Sequence, residues 1–184
     1  MQKLLEQGIE FFAGGPKLTA QDIKKIELMI EAPLPDQYRN YLLHANGGTL
    51  DKHMCKGFDD GYCSKVYWPK GNNIFPDEEY RMLNNFLEYN ENPKYESETL
   101  YYNFMTWKEY LPQETLPIGR GPGGNYFLIG YGKKNVGKIY YWCIVSVNIM
   151  EHDDDTCAIA YDGFIADSFV EFIQTMVPCN MIDW

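Results

Sequence analysis

The sequence predicts an α+β fold, in which a central mixed or antiparallel sheet is flanked by N-terminal helices and a C-terminal helix. Apolar residues at helical spacing dominate the 184-residue chain up to residue 45. Aromatic and β-branched runs typical of strands follow residue 115, and a short helical pattern comes last. Helices followed by strands indicate α+β, because a parallel sheet requires the two to alternate. The length suits one domain over residues 1–184.

Two helices are predicted before residue 32. Residues 2–13 carry apolar side chains on one side, and the glycines and proline at 14–16 end this first helix. Thr19 is a suitable N-cap for a second helix over about residues 20–31. The apolar positions are Leu4, Leu5, Ile9 and Phe12 in the first helix, and Ile23, Ile26 and Ile30 in the second.

A third helix is predicted at about residues 35–45, with clear signals at both ends. Pro35 suits the first position, where its missing N–H would be unpaired, and Asp36 favours the positive end of the helix dipole. Asn46 and Gly47 end the helix, because both tolerate the left-handed conformation. The run carries no obvious chemistry, so we expect it to pack through one face, formed by Tyr38, Tyr41, Leu42 and Ala45.

Residues 51–115 are expected to form an extended helical and irregular insertion. Its first part is rich in turn-forming glycine and proline. A helix is then predicted to open at Pro76 and to run towards residue 90, and a shorter one to cover about 99–110. The apolar side of the earlier helix would hold Tyr80, Leu83, Phe86 and Leu87.

The remaining elements are strands and a closing helix. Residues 126–131 and 139–145 predict a long antiparallel hairpin, and residues 116–119 predict a shorter strand before it. A further strand over 157–161 is expected to end at the turn pair Asp162-Gly163. The C-terminal helix is marked by Ser168 at its start and by the inward positions Phe169, Phe172, Ile173 and Met176.

The chain is strongly acidic, with a net charge of -10 and a pI of about 4.7. Residues 139–184 hold eight acidic residues and neither lysine nor arginine. Such a charge should repel nucleic acid and anionic membranes and attract basic partners, although acidity also serves solubility alone. The N-terminus lacks a signal-peptide pattern, and no run reaches the roughly 18 apolar residues of a membrane span. We therefore predict a cytoplasmic protein that contacts neither nucleic acid nor membrane.

The five cysteines are odd in number and lack the spacing of a disulfide framework, so reduced thiols are the simplest interpretation. A zinc site could be drawn from one histidine and several cysteines, but no Cys-x-x-Cys pair supports it. Its members would be His53, Cys55 and Cys63 with Cys143 or Cys157.

Other patterns that suggest chemistry have simpler interpretations. The glycine-rich run 119–124 leads into a strand, whereas a phosphate cradle requires a helix after it. The acidic run 152–155 could bind a cation, but it lacks the ligand spacing and the glycine of an EF-hand. A catalytic triad would have to assemble in space, and His44 instead suits the negative end of the third helix. We predict no enzyme activity, no cofactor and no metal.

Three blocks of the sequence occur in a recognisable order. Residues 34–39 lead to Asn46-Gly47-Gly48, residues 116–128 open the sheet with Leu-Pro-Ile-Gly, and residues 165–173 end in Ser-Phe-x-x-Phe. Together they resemble the SUKH superfamily over about residues 20–175. The resemblance implies an α+β fold without catalytic residues. It also implies kinship with bacterial immunity proteins, which neutralise toxin domains and often nucleases, and with fungal regulators of cell-wall synthesis.

From this resemblance and the charge we expect a cytoplasmic immunity protein that binds and neutralises a basic toxin domain. The alternative is a protein-binding adaptor or regulatory scaffold of the cell-wall-regulator type. The third helix would hold the scaffold, and the long insertion would be a candidate for partner specificity. The candidate partner-binding residues are Glu151, Asp153, Asp154 and Asp155, with a second patch of Asp59, Asp60, Asp77, Glu78 and Glu79.

Overall fold

Antiparallel strand pairing organises the computed structural model, which describes residues 4, 8–12, 14–52, 61–71, 75–148 and 156–182. Two short strands, β1 (Ile9–Phe12) and β2 (Thr49–Lys52), pair with each other. Eight further strands form one sheet: β3 (Tyr62–Tyr67), β4 (Glu78–Leu83), β5 (Asn85–Phe86), β6 (Thr115–Arg120), β7 (Tyr126–Gly130), β8 (Ile139–Asn148), β9 (Thr156–Ala166) and β10 (Val177–Pro178). Their order is β10-β3-β9-β8-β7-β6-β5, with β4 on β3. The β7–β8 pairing confirms the predicted hairpin.

Four α-helices accompany the sheet in the described residues: α1 (Ala20–Met29), α2 (Asp36–His44), α3 (Leu100–Trp107) and α4 (Phe169–Thr175). All four were predicted from apolar spacing, and the α+β class is confirmed. The N-cap of α1 is also confirmed, because the Thr19 hydroxyl accepts from the Asp22 N–H while the Asp22 carboxylate accepts from the Thr19 N–H. Among the described helices, none combines the length and the apolar character that crossing a bilayer requires.

A cluster of aromatic rings joins α2 to α4 and to the sheet. The Tyr41 ring lies 4.9 Å from that of Phe169 and 5.2 Å from that of Phe86, measured between centroids. The Tyr38 ring lies 5.3 Å from that of Phe169. This cluster confirms the predicted packing face of α2, in which Tyr38, Tyr41 and Leu42 are buried and Ala45 is partly buried.

The opposite face of the sheet carries a second apolar cluster, which α3 covers. Tyr126, Leu128 and Trp142 form this cluster, and Trp107 of α3 packs on it. The Trp107 indole N–H donates to the Tyr126 hydroxyl at 3.0 Å, and that hydroxyl donates to Asn103 Oδ1 at 2.8 Å. These contacts fix the inner side of α3, so its outer side chains are presented from a rigid support.

Two of the predicted helices are wrong where their residues form strands. In the first, predicted over residues 2–13, Leu4 is helical but Ile9–Phe12 pairs with β2, and most of the rest lies outside the described residues. Residues 78–86 form β4 and β5 instead of a helix from Pro76, with Leu83 opposite Tyr62 of β3. Apolar spacing in these short runs fits a helix, but pairing with strands elsewhere in the chain decides the conformation.

The predicted turn at Asp162-Gly163 is also wrong, because both residues lie inside β9. Gly163 is opposite Tyr141 of β8. A Cβ atom at Gly163 would lie 2.2 Å from Cγ1 of Val66. Glycine is therefore required here by close packing against β3, and not by a turn.

The prediction of reduced thiols is wrong for one pair of cysteines. Cys63 of β3 and Cys179 form a disulfide, which joins the C-terminal segment to the sheet beside the β10–β3 pairing. The bond also removes Cys63 from the possible zinc ligands. Cys143 is a free, buried cysteine, and Cys55 and His53 lie outside the described residues.

Candidate functional site

The predicted partner-binding acids are only partly covered by the structure. Asp77 precedes β4, and Glu78 and Glu79 are its first two residues. Six others lie outside the described residues: Asp59, Asp60, Glu151, Asp153, Asp154 and Asp155. Their role in binding remains a prediction from sequence.

Glu78 and Glu79 already have cationic partners within the chain. The Glu78 carboxylate lies 2.6 Å from Lys65 Nζ. The Glu79 carboxylate accepts from the indole N–H of Trp68 at 2.7 Å and pairs with Arg81. Glu79 therefore stabilises the β3–β4 edge, and its charge is balanced locally. Asp77 is exposed, which makes it the better candidate of the three for a partner contact.

Arg81 shows how this chain accommodates a partly buried cation. The guanidinium carbon lies 5.5 Å from the ring centroid of Phe75, 5.6 Å from that of Tyr141 and 6.0 Å from that of Trp68. Burial raises the pKa of Tyr141 to about 12, although the charge of Arg81 acts in the opposite direction. Aromatic faces and the Glu79 carboxylate therefore both contact the guanidinium, the first through cation–π interactions and the second as an ion pair.

Three hollows open along residues 85–102; the first lies wholly within the predicted insertion, and the other two are lined partly by residues before it. The first, which we call the tyrosine hollow, has a volume of about 410 Å³ and is lined by Tyr89, Asn90, Glu91, Pro93, Glu96, Thr99, Tyr101 and Tyr102. The second, of about 210 Å³, adjoins the tyrosine hollow and includes Lys17 and Asp22. The third, of about 250 Å³, lies between Glu88 and Glu98.

The lining of the three hollows is acidic. The described residues that line the three hollows include one base, Lys17 of the second hollow. They also include five carboxylates, namely Asp22, Glu88, Glu91, Glu96 and Glu98. Lys25 donates to Glu91 at 2.6 Å, and this hydrogen bond raises the pKa of Lys25. The Glu96 carboxylate has no hydrogen bond or ion pair to any residue that the structure describes. The tyrosine hollow therefore keeps a negative charge that favours a cationic group.

Aromatic side chains around the start of α3 are unusually exposed. Tyr95, Tyr101 and Tyr102 keep 54, 55 and 43 per cent of their surface accessible. The Thr99 hydroxyl caps the helix by accepting from the Tyr102 N–H at 3.2 Å. Exposed tyrosines on a rigid helix are typical of binding surfaces, because they offer a large contact area at low entropic cost.

Asn46 holds the wall of the tyrosine hollow in place. Its Oδ1 accepts from the Tyr89 N–H at 2.8 Å, and its Nδ2 donates to the carbonyl oxygens of Tyr89 and Pro16 at 2.9 and 2.8 Å. Gly47 follows with φ 86°, and a Cβ atom there would lie 2.9 Å from the Glu88 backbone nitrogen. The residues that end α2 therefore also position the segment that forms the hollow.

None of the residues of the tyrosine hollow is among the site residues predicted from sequence. A signal was nevertheless present, because Leu100–Trp107 carries large apolar or aromatic side chains on all sides of a short helix. Such a helix is either buried all round or leaves aromatic residues exposed. Leu100 and Phe104 are buried, while Tyr101 and Tyr102 are exposed.

Three features considered as alternative chemical sites lie in the described residues, whereas the acidic run 152–155 lies outside them. The run 119–124 joins β6 to β7 through the short turn Pro122–Gly124, as predicted. His44 is exposed in the last turn of α2, also as predicted. Burial raises the pKa of the Cys143 thiol, which is the opposite of what a nucleophilic cysteine requires.

The comparisons with known proteins give one match. The model of the SMI1 / KNR4 family (SUKH-1) matches residues 17–175, which include α1, α2, α3, α4 and the whole lining of the tyrosine hollow. No curated protein and no solved structure matches the chain. The resemblance drawn from the three sequence blocks is confirmed.

Proposed function

The chain belongs to the SMI1 / KNR4 family (SUKH-1), and on that premise we propose that it is a non-catalytic immunity protein that binds and neutralises a toxin domain. Stoichiometric inhibition requires a complementary surface and no catalytic centre. The observation that carries the proposal is the group of three acidic hollows along residues 85–102, the first of which is rich in tyrosine. They lie on rigid supports and are held from behind by Asn46.

A nuclease domain is the favoured partner, because its substrate is an anion. Enzymes that act on nucleic acid bind the phosphate backbone with lysine and arginine. A chain with a net charge of -10 would approach such a surface quickly, and its carboxylates would compete with phosphate for the same cations. Lysine and arginine in the toxin's substrate groove are therefore the expected contacts.

The acidic residues that lie outside the described residues are the basis of a separate hypothesis, which concerns the rate at which this chain and the toxin associate. Glu151, Asp153, Asp154 and Asp155 form the densest acidic run of the chain, and we infer that it steers the approach of the toxin. Replacing all four by lysine should slow association at low salt by about tenfold, whereas dissociation should change little. Stopped-flow measurement at two salt concentrations checks this, and an unchanged low-salt association rate would remove the run from the proposal.

We place this activity in the cytoplasm, where an immunity protein would meet a toxin delivered from outside. The Cys63–Cys179 disulfide weighs against that location, because cytoplasmic thiols are kept reduced. Alkylating the thiols in intact cells and then analysing the peptides by mass spectrometry tests the point. Alkylated Cys63 and Cys179 would support the cytoplasm, and recovery of the intact disulfide would contradict it.

Co-expression tests the proposal most simply. The partner to use is the C-terminal domain encoded by the neighbouring gene, expressed with and without this chain. We expect growth to be restored only in the presence of this chain, and the two proteins to co-elute in equal amounts from a size-exclusion column. Continued toxicity at verified expression, together with separate elution, would overturn the proposal for that partner.

The second candidate is an adaptor or regulatory scaffold, and the same surface would serve it. The family description names SMI1 and KNR4, the branch from which the cell-wall-regulator alternative comes. Genomic context separates the two candidates, because an immunity gene should lie beside a toxin gene. An adaptor should instead co-purify with a non-toxic partner whose expression does not arrest growth.

A further inference from the structure

We propose that the tyrosine hollow receives an arginine side chain of the partner, an inference that rests on the proposed function and names its principal contact. The hollow supplies two groups that bind a guanidinium, namely exposed aromatic faces and a carboxylate that has no partner among the described residues. Tyr101 and Tyr102 provide the faces, and Glu96 provides the carboxylate. Among the residues that the structure describes, neither lysine nor arginine lines this hollow.

Arg81 supports the choice of a cation, because its own guanidinium is bound within the chain by aromatic rings and a carboxylate. Its guanidinium lies against the rings of Phe75 and Tyr141 and pairs with Glu79. Lys94 makes a similar contact between a cation and an aromatic ring beside the hollow, because its Nζ lies 5.0 Å from the Tyr95 ring centroid. The hollow offers the aromatic and acidic members of this set, and within the described residues Lys25 pairs with its Glu91 while no cation pairs with its Glu96.

Charge and shape favour arginine over lysine. Glu91 is already paired with Lys25, so Glu96 is the carboxylate that remains for an incoming group. A planar guanidinium can stack on a tyrosine ring and donate two hydrogen bonds to one carboxylate, whereas an ammonium is a compact, strongly hydrated point charge. The volume of about 410 Å³ lies in the range of small-ligand pockets, roughly 300–1,000 Å³, so a whole side chain can enter.

The first arm of the test measures affinity for the toxin domain identified by co-expression. Glu96→Gln and Tyr101→Ala should each weaken binding about tenfold, because each removes one of the two groups that hold the guanidinium. The matched controls are Glu109→Gln and Tyr110→Ala, exposed residues just beyond α3 that do not line the hollow. If the toxin binds the hollow variants and the controls equally well, the inference is overturned while the proposed function stands.

The second arm needs no toxin. N-acetyl-arginine amide is titrated into the full ¹⁵N-labelled chain, with N-acetyl-citrulline amide as the uncharged control and N-acetyl-lysine amide as the other cation. We expect the arginine probe to shift the amide signals of Glu96, Tyr101 and Tyr102, and the Glu96→Gln variant to lose the response. Equal responses to citrulline, a stronger response to lysine, or shifts confined to other residues would overturn the inference. A positive result without any toxin binding would instead count against the proposed function.

Discussion

Tyrosine has different roles in two regions of this chain, the core beneath α2 and the surface of α3. Tyr38 and Tyr41 are fully buried against Phe169, whereas Tyr101 and Tyr102 keep about half of their surface exposed. The buried rings stabilise the fold through packing area, and the exposed rings leave that area for a partner. Stability and binding are therefore assigned to different tyrosines, and substitutions should separate the two.

Truncation of the core should have the largest effect. Tyr41→Ala removes a ring that touches Phe86 and Phe169, and we expect it to lower the free energy of unfolding by about 3–5 kcal/mol. Tyr101→Ala should change the same quantity by no more than about 0.5 kcal/mol, because its ring is mostly in solvent. Urea denaturation of both variants checks the contrast, and similar losses would refute the division of roles.

The next effect concerns Asn46, which connects the two regions. Asn46→Ala removes three hydrogen bonds to backbone groups, two of them buried, and should cost about 2–4 kcal/mol. It should also speed hydrogen exchange at the Tyr89 amide and weaken toxin binding, because the wall of the hollow loses its support. Asn40→Ala is the matched control, since that side chain is exposed and lines none of the three hollows. Unchanged protection of the Tyr89 amide would show that the wall holds without Asn46.

Alkaline pH should lower the free energy of unfolding through the buried tyrosines of the core. Burial raises the pKa of Tyr38, and burial together with the neighbouring Tyr38 raises the pKa of Tyr41. The unfolded chain therefore releases these protons first, near pH 10, and each tyrosine should cost about 1.4 kcal/mol of stability per pH unit above that value. Their contribution is complete below pH 10 and is lost as the pH rises towards the folded pKa values. Urea midpoints between pH 9 and 11 measure this loss, and the double variant Tyr38→Phe/Tyr41→Phe should flatten it.

The smallest effects distinguish the two core tyrosines from each other. The Tyr41 hydroxyl donates to the Gly47 carbonyl at 3.0 Å, so Tyr41→Phe should cost about 1 kcal/mol. The Tyr38 hydroxyl is buried and has no partner among the described residues, so Tyr38→Phe should be neutral or slightly stabilising. Thermal melts of the two variants suffice for the comparison. A larger loss at Tyr38 would mean that its hydroxyl has a partner.

Elements that begin and end because of residues within or beside them could be predicted from the sequence. The start of α2 follows from Pro35 and Asp36 and its end from Asn46 and Gly47, all within or beside the helix. Residues 78–86 could not be predicted in this way, because the pairing of β4 with β3 depends on partners such as Tyr62. The same reason applies to Gly163, whose neighbour across the sheet is Val66.

The candidate site was predictable only in outline. Acidity and the long insertion directed attention to residues 51–115, but the tyrosine hollow found there depends on Asn46, which lies 43 residues before Tyr89. The acids favoured from sequence do not all remain available, because Glu79 is engaged by Arg81 and Trp68. Charge can be counted in a sequence, whereas the internal pairing of charges requires the fold.

The central claim is that the surface along residues 85–102 binds the toxin without contributing to the stability of the fold. The most direct test combines two measurements on the double variant Glu96→Gln/Tyr101→Ala, with Glu109→Gln/Tyr110→Ala as its control. We predict that both double variants keep the free energy of unfolding within about 0.5 kcal/mol of the original chain, and that only the first fails to protect cells from the toxin domain. Full protection by the first double variant, at equal expression, would contradict the claim.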